Sequence, residues 1–189
     1  MTVGGLLLAG GAGRRFGGPK QLALLHGRPL LEHAVRAITA VAALDPVVVV
    51  LGAAADEIRA AVDLGRARVV VAAEWAEGQA ASLRAGVAAL GPVEAAVITL
   101  GDQPFLSAEV IGGVLAQRAP GWDAVRATYD GAPGHPVLLE RALLARVSEL
   151  RGDVGARRLL AGARVREWEC GALADARDID TRAALEAAQ

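Results

Sequence analysis

Short apolar runs recur along this chain, and helical patterns fill the intervals between them. Val3–Ala9, Val47–Leu51, Arg68–Ala72, Ala95–Leu100, Ala124–Tyr129, Pro136–Leu139 and Val165–Trp168 predict strands. Between the first two, Pro29–Val41 places Leu31, Ala34, Val35, Ile38 and Val41 on one helical face. Ala54–Leu64 predicts a second helix closed by Gly65, and Ala80–Leu90 a third stopped by Gly91-Pro92. Ser107 is placed to cap Ala108–Arg118, with Glu109 favourable in the first turn. Further helices are predicted at Arg141–Glu149, Gly155–Leu160 and Thr181–Ala188, and Gly131-Ala132-Pro133-Gly134 reads as a turn. Strands alternating with helices imply βαβ units and a mainly parallel sheet. No repeat or linker divides residues 1–189, so the expectation is one domain.

Composition narrows the function classes. A net charge of −1 lacks the basic footprint of a duplex-binding protein. Aromatic residues make up 3%, too few for a base-stacking platform, so no nucleic-acid partner is expected. No apolar run reaches the length of a membrane span, and Met1-Thr2-Val3-Gly4 carries no charged leader. Cys170 stands alone, and no Cys/His spacing resembles a zinc site. The expectation is a soluble cytoplasmic α/β domain without membrane contact.

The basic residues are 19 arginines and one lysine. That lysine, Lys20, ends a glycine-rich stretch, Leu8-Ala9-Gly10-Gly11-Ala12-Gly13-Arg14-Arg15-Phe16-Gly17-Gly18-Pro19-Lys20, directly after the first predicted strand. A lysine is a compact point charge that reaches a crowded phosphate where a flat guanidinium does not. Gly10, Gly11 and Gly13 can take positive φ and bring bare N–H groups close to an anion. Arg14, Arg15 and Lys20 add three positive charges with no acidic residue between them, which suits a triphosphate. A dinucleotide fingerprint starting at Gly11 fails because Phe16 stands where its third glycine is needed. A P-loop fails because Pro19-Lys20-Gln21 replaces Gly-Lys-Ser/Thr. Glycine-rich turns follow strands in many folds, so the loop alone leaves phosphate binding open.

These residues, together with Gln21-Leu22 and Gly27-Arg28-Pro29-Leu30-Leu31, resemble the MobA-like nucleotidyltransferases. The resemblance implies a Rossmann-like, three-layer α/β/α fold with a mainly parallel mixed sheet. It also implies that Leu8, Ala9, Gly10, Gly11 and Gly13 wrap a nucleoside triphosphate whose phosphates Arg15 and Lys20 contact.

Two acidic segments bear on a metal. Val97-Ile98-Thr99-Leu100-Gly101-Asp102-Gln103-Pro104 ends a buried strand with a carboxylate at its mouth. Mg²⁺ takes one or two carboxylates plus substrate phosphates and waters, a task Asp102 can serve. An aspartate before a proline turn is by itself a turn residue, but Gly-Asp-Gln-Pro resembles the family's metal-binding signature. Asp178-Ile179-Asp180-Thr181 resembles a second acidic segment of the family, with Arg182 in place of the usual proline. Asp180 is the expected second ligand with Asp178 beside it, although Thr181 or Asp180 could equally cap the last helix.

Three further segments concern substrate choice. Gly78-Gln79-Ala80-Ala81-Ser82 opens a helix with an amide and a hydroxyl near its positive end, and such a terminus accepts anions or polar ligand edges. The resemblance implies that Gln79 and Ser82 approach the base and ribose. Gly134-His135-Pro136-Val137-Leu138 and Gly152-Asp153-Val154-Gly155-Ala156-Arg157 each have a plain reading, as a turn histidine and a helix start. Together they resemble the branch that attaches CMP to molybdopterin, in which these parts, including His135 and Asp153, line the acceptor side. Leu8-Ala9-Gly10-Gly11 departs from that branch and is typical of guanylyltransferases. The expectation is transfer of CMP from CTP to the terminal phosphate of molybdopterin, with Mg²⁺ or Mn²⁺. The alternative is a guanylyltransferase that uses GTP, or another small-molecule nucleotidyltransferase with a different acceptor; the product would pass to a molybdenum hydroxylase by transient contact. A rival of another class is a non-catalytic protein that holds the finished cofactor for such a hydroxylase.

Overall fold

The structure, a computed structural model, describes residues 2–189. The chain runs through β1 (Val3–Ala9), the hairpin pair β2 (Leu24–Leu25) and β3 (Arg28–Pro29), α1 (Leu30–Thr39), β4 (Val47–Leu51), α2 (Ala55–Ala61), β5 (Arg68–Val71), α3 (Gln79–Leu90) and β6 (Ala95–Leu100). It continues through α4 (Ala108–Ala116), β7 (Ala124–Tyr129), β8 (Ala132–Glu140), α5 (Arg141–Ala145), α6 (Arg157–Leu160), β9 (Val165–Glu169) and α7 (Arg182–Glu186).

Every residue of β1 and β4 is buried, as two-sided cover by helices requires. Successive side chains point to opposite faces, so one strand feeds two apolar layers. Leu7, Val49 and Val97 join Leu31 and Ile38 of α1 on one face. Leu6, Val50 and Ile98 join Leu83 of α3 on the other. The result is the expected three-layer α/β/α arrangement. Seven strands form the central sheet in the order β5-β4-β1-β6-β8-β7-β9. Among the described strands of this sheet, only β8 runs antiparallel to its neighbours, pairing with both β6 and β7. The sheet is therefore mixed and mainly parallel.

The chain passes from β1 outward to β4 and β5, then returns to place β6 on the other side of β1. Strand order thus reverses between β1 and β6, and open α/β sheets bind ligands at such a point, beyond the carboxyl ends. The glycine-rich loop leaves β1 there, and Gly101-Asp102 leaves β6 beside it; the Gly101 N–H donates to the Leu8 carbonyl at 2.9 Å.

Several boundaries move for identifiable reasons. The expected turn over Gly131–Gly134 lies earlier: Asp130 (φ 50°) and Gly131 (φ 76°) make it, and Tyr129 pairs with Ala132. Two consecutive positive φ values mark the two-residue hairpin that Asp-Gly favours, so Ala132–Gly134 belong to β8. The helix expected over Ala54–Leu64 ends at Ala61, because Val62 turns to extended backbone and is buried. The expected Arg141–Glu149 helix is α5 followed by a 3₁₀ turn over Arg146–Glu149. Ser107 caps α4 as expected, its Oγ accepting from the Val110 N–H at 3.2 Å.

Candidate active site

The loop between β1 and α1 is held by two devices. The first is Gly13, whose φ of +62° places its carbonyl to accept from the N–H groups of Phe16 (3.0 Å), Gly17 (3.0 Å) and Gly18 (3.3 Å). A Cβ on Gly13 would stand 2.0 Å from the Gly18 carbonyl oxygen, so no other residue closes this turn without rearrangement. The second is Gln21, a buried residue whose Nε2 donates to the Ala9 carbonyl (2.9 Å) and the Gly11 carbonyl (2.8 Å). Peptides are trans, so the N–H groups of Gly10 and Ala12 point away from Gln21.

Two expectations for the loop change. Of Gly10, Gly11 and Gly13, only Gly13 adopts positive φ, and Gly17 and Gly18 supply the other such positions. The N–H groups of Phe16, Gly17 and Gly18 are spent on Gly13. Among the described residues, those of Gly11, Ala12, Arg14 and Arg15 have no acceptor in the chain and remain for an anion.

Lys20 follows in a short 3₁₀ turn over Lys20–Leu22. Its Nζ donates to Asp102 Oδ2 and to Asp180 Oδ1, each at 2.6 Å. Arg15 reaches the second Asp180 oxygen at 2.7 Å. Residues 82 and 160 positions apart from Lys20 thus converge on one ammonium. Burial opposes the Lys20 charge, but the Asp102 and Asp180 carboxylates outweigh it and hold its pKa above the ordinary lysine value. The Lys20 hydrogen bond holds the Asp180 carboxyl below the usual carboxylate range, with Arg15 assisting. The two carboxylates already share one cation, so their donor set suits a divalent ion that takes two carboxylates and leaves its remaining positions to phosphates and waters. Among the described residues no group of three or more acidic, His or Cys side chains could hold a metal, so the fit is to this phosphate-completed kind of site.

Asp178 stands apart from that pair. Its Oδ1 accepts from Gln103 Nε2 at 2.9 Å, and Gln103 also donates to the Ala176 carbonyl at 3.1 Å. Burial, reinforced by the negative charge of Asp102, raises its pKa. Ile179 anchors the segment: its N–H donates to the Asp102 carbonyl at 2.9 Å, and its side chain packs with Phe16, Leu25 and Leu30. Thr181, not Asp180, caps α7, accepting from the Ala184 N–H at 3.1 Å. Arg182 lies 5.0 Å from the Phe16 ring centre, tying the C-terminal segment to the glycine loop.

The glycine loop, Lys20, Asp102, Trp75, Gln79 and Ser82 border a cavity of about 530 Å³. The start of α3 is not the free anion site that its glycine and amide suggest. Its first N–H groups are taken, Gln79 by Asp153 Oδ1 (3.3 Å) and Ala80 by the Gly152 carbonyl (3.1 Å). Gly78, at φ 113°, permits this approach; a Cβ there would lie 2.6 Å from the Gly152 carbonyl. Asp153, expected on the acceptor side, is therefore also the N-terminal partner of α3. A second cavity of about 390 Å³ adjoins the first at Gln79 and Asp153 and includes His135. Burial lowers the His135 pKa to about 4, against a smaller opposing pull from Asp102, so the ring is neutral at neutral pH. The sequence assigns no individual role to Gln21, Gln103, Trp75 or Arg126; Gln21 stands beside Lys20 and Gln103 within Gly-Asp-Gln-Pro, while Trp75 and Arg126 carry no signal.

A family model described as the MobA-like NTP transferase domain matches residues 5–168. The chain belongs to this family. It is 36% identical over 192 residues to the nicotine blue oxidoreductase of Paenarthrobacter nicotinovorans, covering 95% of this chain and 92% of that protein. Among solved structures, Rv0371c from Mycobacterium tuberculosis is 29% identical with a TM-score of 0.86, covering 99% of this chain and 97% of that one. The same mycobacterial protein is also solved in complex with manganese, at 27% identity, a TM-score of 0.82, and coverage of 100% and 98%. The Archaeoglobus fulgidus molybdopterin-guanine dinucleotide biosynthesis protein A shares the fold at 20% identity and a TM-score of 0.73, covering 100% of this chain and 96% of that one. The family model places the chain among MobA-like NTP transferases, and neither it nor these relatives distinguish cytidylyl from guanylyl transfer. No helix among the described residues is long and apolar enough to cross a membrane.

Proposed function

We propose that this protein transfers the nucleotidyl group of a nucleoside triphosphate to the terminal phosphate of molybdopterin and releases pyrophosphate. The observation that carries the reading is the meeting of Lys20, Arg15, Asp102 and Asp180 at the mouth of the glycine-loop cavity. A phosphate oxygen of the acceptor attacks the α-phosphorus, and the bond to the bridging oxygen breaks with its electron pair leaving on pyrophosphate. The attacking phosphate is already ionised, so no side chain has to remove a proton. The chain contributes position and charge. Loop N–H groups, Arg15 and Lys20 bind the departing phosphates, while Gln79 and Ser82 border the base and ribose. Asp102 and Asp180 would hold Mg²⁺ or Mn²⁺, which neutralises phosphate charge when bound; Asp178 stands by as a more remote carboxylate.

The donor depends on a small space. A Cβ on Gly10 would stand 2.6 Å from Ser82 Oγ on the cavity wall. The likeness of Leu8-Ala9-Gly10-Gly11 to guanylyltransferases supports GTP. The CTP reading rests on the acceptor-side motifs around His135 and Asp153. Assaying GTP and CTP side by side with authentic molybdopterin and Mg²⁺ decides between them. Failure of folded protein to release acceptor-dependent pyrophosphate from either donor would sink the transferase reading.

The near full-length similarity to a nicotine blue oxidoreductase favours a second reading, redox chemistry on a small molecule such as nicotine blue in the same cavity. Redox turnover of nicotine blue followed by its colour, and no pyrophosphate release, would select it.

A further inference from the structure

The charges at the cavity mouth are balanced. Lys20 Nζ lies 2.6 Å from Asp102 Oδ2 and 2.6 Å from Asp180 Oδ1, and Arg15 Nη2 lies 2.7 Å from Asp180 Oδ2. Two carboxylates therefore meet two cations, and both oxygens of Asp180 are taken. The ammonium sits deeper, with 14% of the Lys20 side chain exposed against 77% for Arg15. A Mg²⁺ ion ligated by the same two oxygens would stand about 2.0–2.1 Å from each. Lys20 Nζ already occupies nearly that point. A divalent ion and an ammonium cannot share it, because like charges a few ångströms apart in a half-buried site repel strongly.

A displaced Lys20 has little to turn to within the chain. The other carboxylates bordering the cavity are engaged, Glu77 by Arg84 (3.4 Å) and Asp153 by the Gln79 N–H (3.3 Å). Asp178 accepts from Gln103 at 2.9 Å. An incoming phosphate is the partner that remains, and the N–H groups of Gly11, Ala12, Arg14 and Arg15 are there to receive it. We propose that Lys20 and the divalent ion exclude each other between Asp102 and Asp180, so that the ion enters only as a triphosphate draws Lys20 away. This rests on the metal-and-triphosphate reading above and adds an order of binding to it. Lys20 and Arg15 pass from carboxylate to phosphate, and the two carboxylates are released together for the ion. By linkage, triphosphate and ion each tighten the binding of the other.

The test titrates Mn²⁺ into nucleotide-free protein and counts the unbound ion by electron paramagnetic resonance. Lys20→Met should bind Mn²⁺ at least about tenfold more tightly than wild type, a usual size for coupling between sites. Adding Asp102→Asn to Lys20→Met should remove that gain. Arg14→Met controls for charge alone. Arg14 is exposed, borders the same cavity, and makes no side-chain hydrogen bond or ion pair among the described residues. Its loss should change Mn²⁺ affinity less than about threefold, since an exposed charge is screened. If Lys20→Met does not fold, Lys20→Gln, which keeps an amide donor for the carboxylates, takes its place. Equal or weaker Mn²⁺ binding without the lysine, or equal gains from losing Lys20 and Arg14, overturns the exclusion. The outcomes also separate the two readings. Tighter Mn²⁺ binding by Lys20→Met, with no pyrophosphate release by wild type, keeps the exclusion and removes the transferase. Acceptor-dependent pyrophosphate release by wild type, with Mn²⁺ affinity unmoved in Lys20→Met, keeps the transferase and removes the exclusion.

Discussion

Two carboxylate centres lie at the carboxyl-end side of this sheet, and they are built in opposite ways. At the β1/β6 mouth, Asp102 and Asp180 face Lys20 and Arg15, groups drawn from distant parts of the chain. At the β7–β8 hairpin, Glu169 accepts instead from Thr128 Oγ1 (2.8 Å) and the N–H groups of Asp130 (3.0 Å), Gly131 (3.1 Å) and Gly171 (2.9 Å). The first centre gathers side-chain charges that can change partners when a ligand arrives. The second satisfies backbone donors that have no other use and fastens a tight turn. Partly buried ion pairs are weak evidence of stabilisation, because desolvation offsets their attraction. Backbone N–H groups gathered on a carboxylate serve folding directly. The difference teaches that only the first cluster should be sensitive in activity, and only the second in stability.

Asp102→Asn should break the comparison most visibly if it is wrong. Activity should fall on the order of 10²–10³-fold, the usual consequence of losing a group that stabilises transferring charge. The melting temperature should hold, since Asp180 still pairs with Lys20. A large loss of stability with activity retained would mean that the cluster is structural after all.

Lys20→Arg sharpens the same point. An ammonium fits between two carboxylates at 2.6 Å each, whereas a planar fork spreads its donors. Turnover should drop roughly a hundredfold with the fold intact. Steady-state rates alongside circular dichroism check this, and near-normal turnover would make the lone lysine an accident of composition.

Glu169→Gln tests the other side. Hydrogen bonds from the Gly171 and Gly131 N–H groups, then Thr128 Oγ1, lower the Glu169 pKa from 4.5 to about 2. A carboxyl with a depressed folded pKa adds stability that is present above its unfolded value and lost as pH falls through the folded one. Wild type should therefore unfold at higher denaturant than Glu169→Gln at neutral pH, and the gap should close between about pH 4.5 and 2. A gap that stays constant over that range would show the carboxylate charge to be irrelevant. Activity should change little.

The smallest expected effect is at Gly10→Ala. The added methyl must push Ser82 Oγ, a flexible group, so the fold tolerates it. The ratio of GTP to CTP use should shift several-fold towards CTP, measured as relative kcat/KM, since discrimination by one methyl group is modest. An unaltered ratio would move base choice elsewhere in the cavity.

Much of the fold was legible because burial on both faces imposes a plain pattern. β1, β4 and β6 fall where the apolar runs predict them, residue for residue. The pattern predicts only Pro136–Leu139 of β8, because Pro133 and Gly134 look like breakers, yet Asp130-Gly131 completes the turn before them. The site was legible in part. Lys20, Arg15, Asp102 and Asp180 announce themselves as charges beside glycine and strand ends. Gln21 does not, because its role is to bind two carbonyls that only the folded loop presents. Arg126 looks like one more strand residue until β8, β9 and α6 surround it.

The sequence by itself determined the alternation of buried strands and helices, and the clustering of cationic residues with glycine after β1. Both follow from local chemistry: side-chain period, turn preference and charge are written residue by residue. Tertiary structure alone decided which carboxylates meet. Asp180 reaches Lys20 only because Ile179 docks on the Asp102 carbonyl and buries its side chain beneath the loop. It also decided that the start of α3 is filled by Asp153 and Gly152 rather than left for an anion. Such partners are separated by tens of residues, and the packing that brings them together is a property of the whole chain.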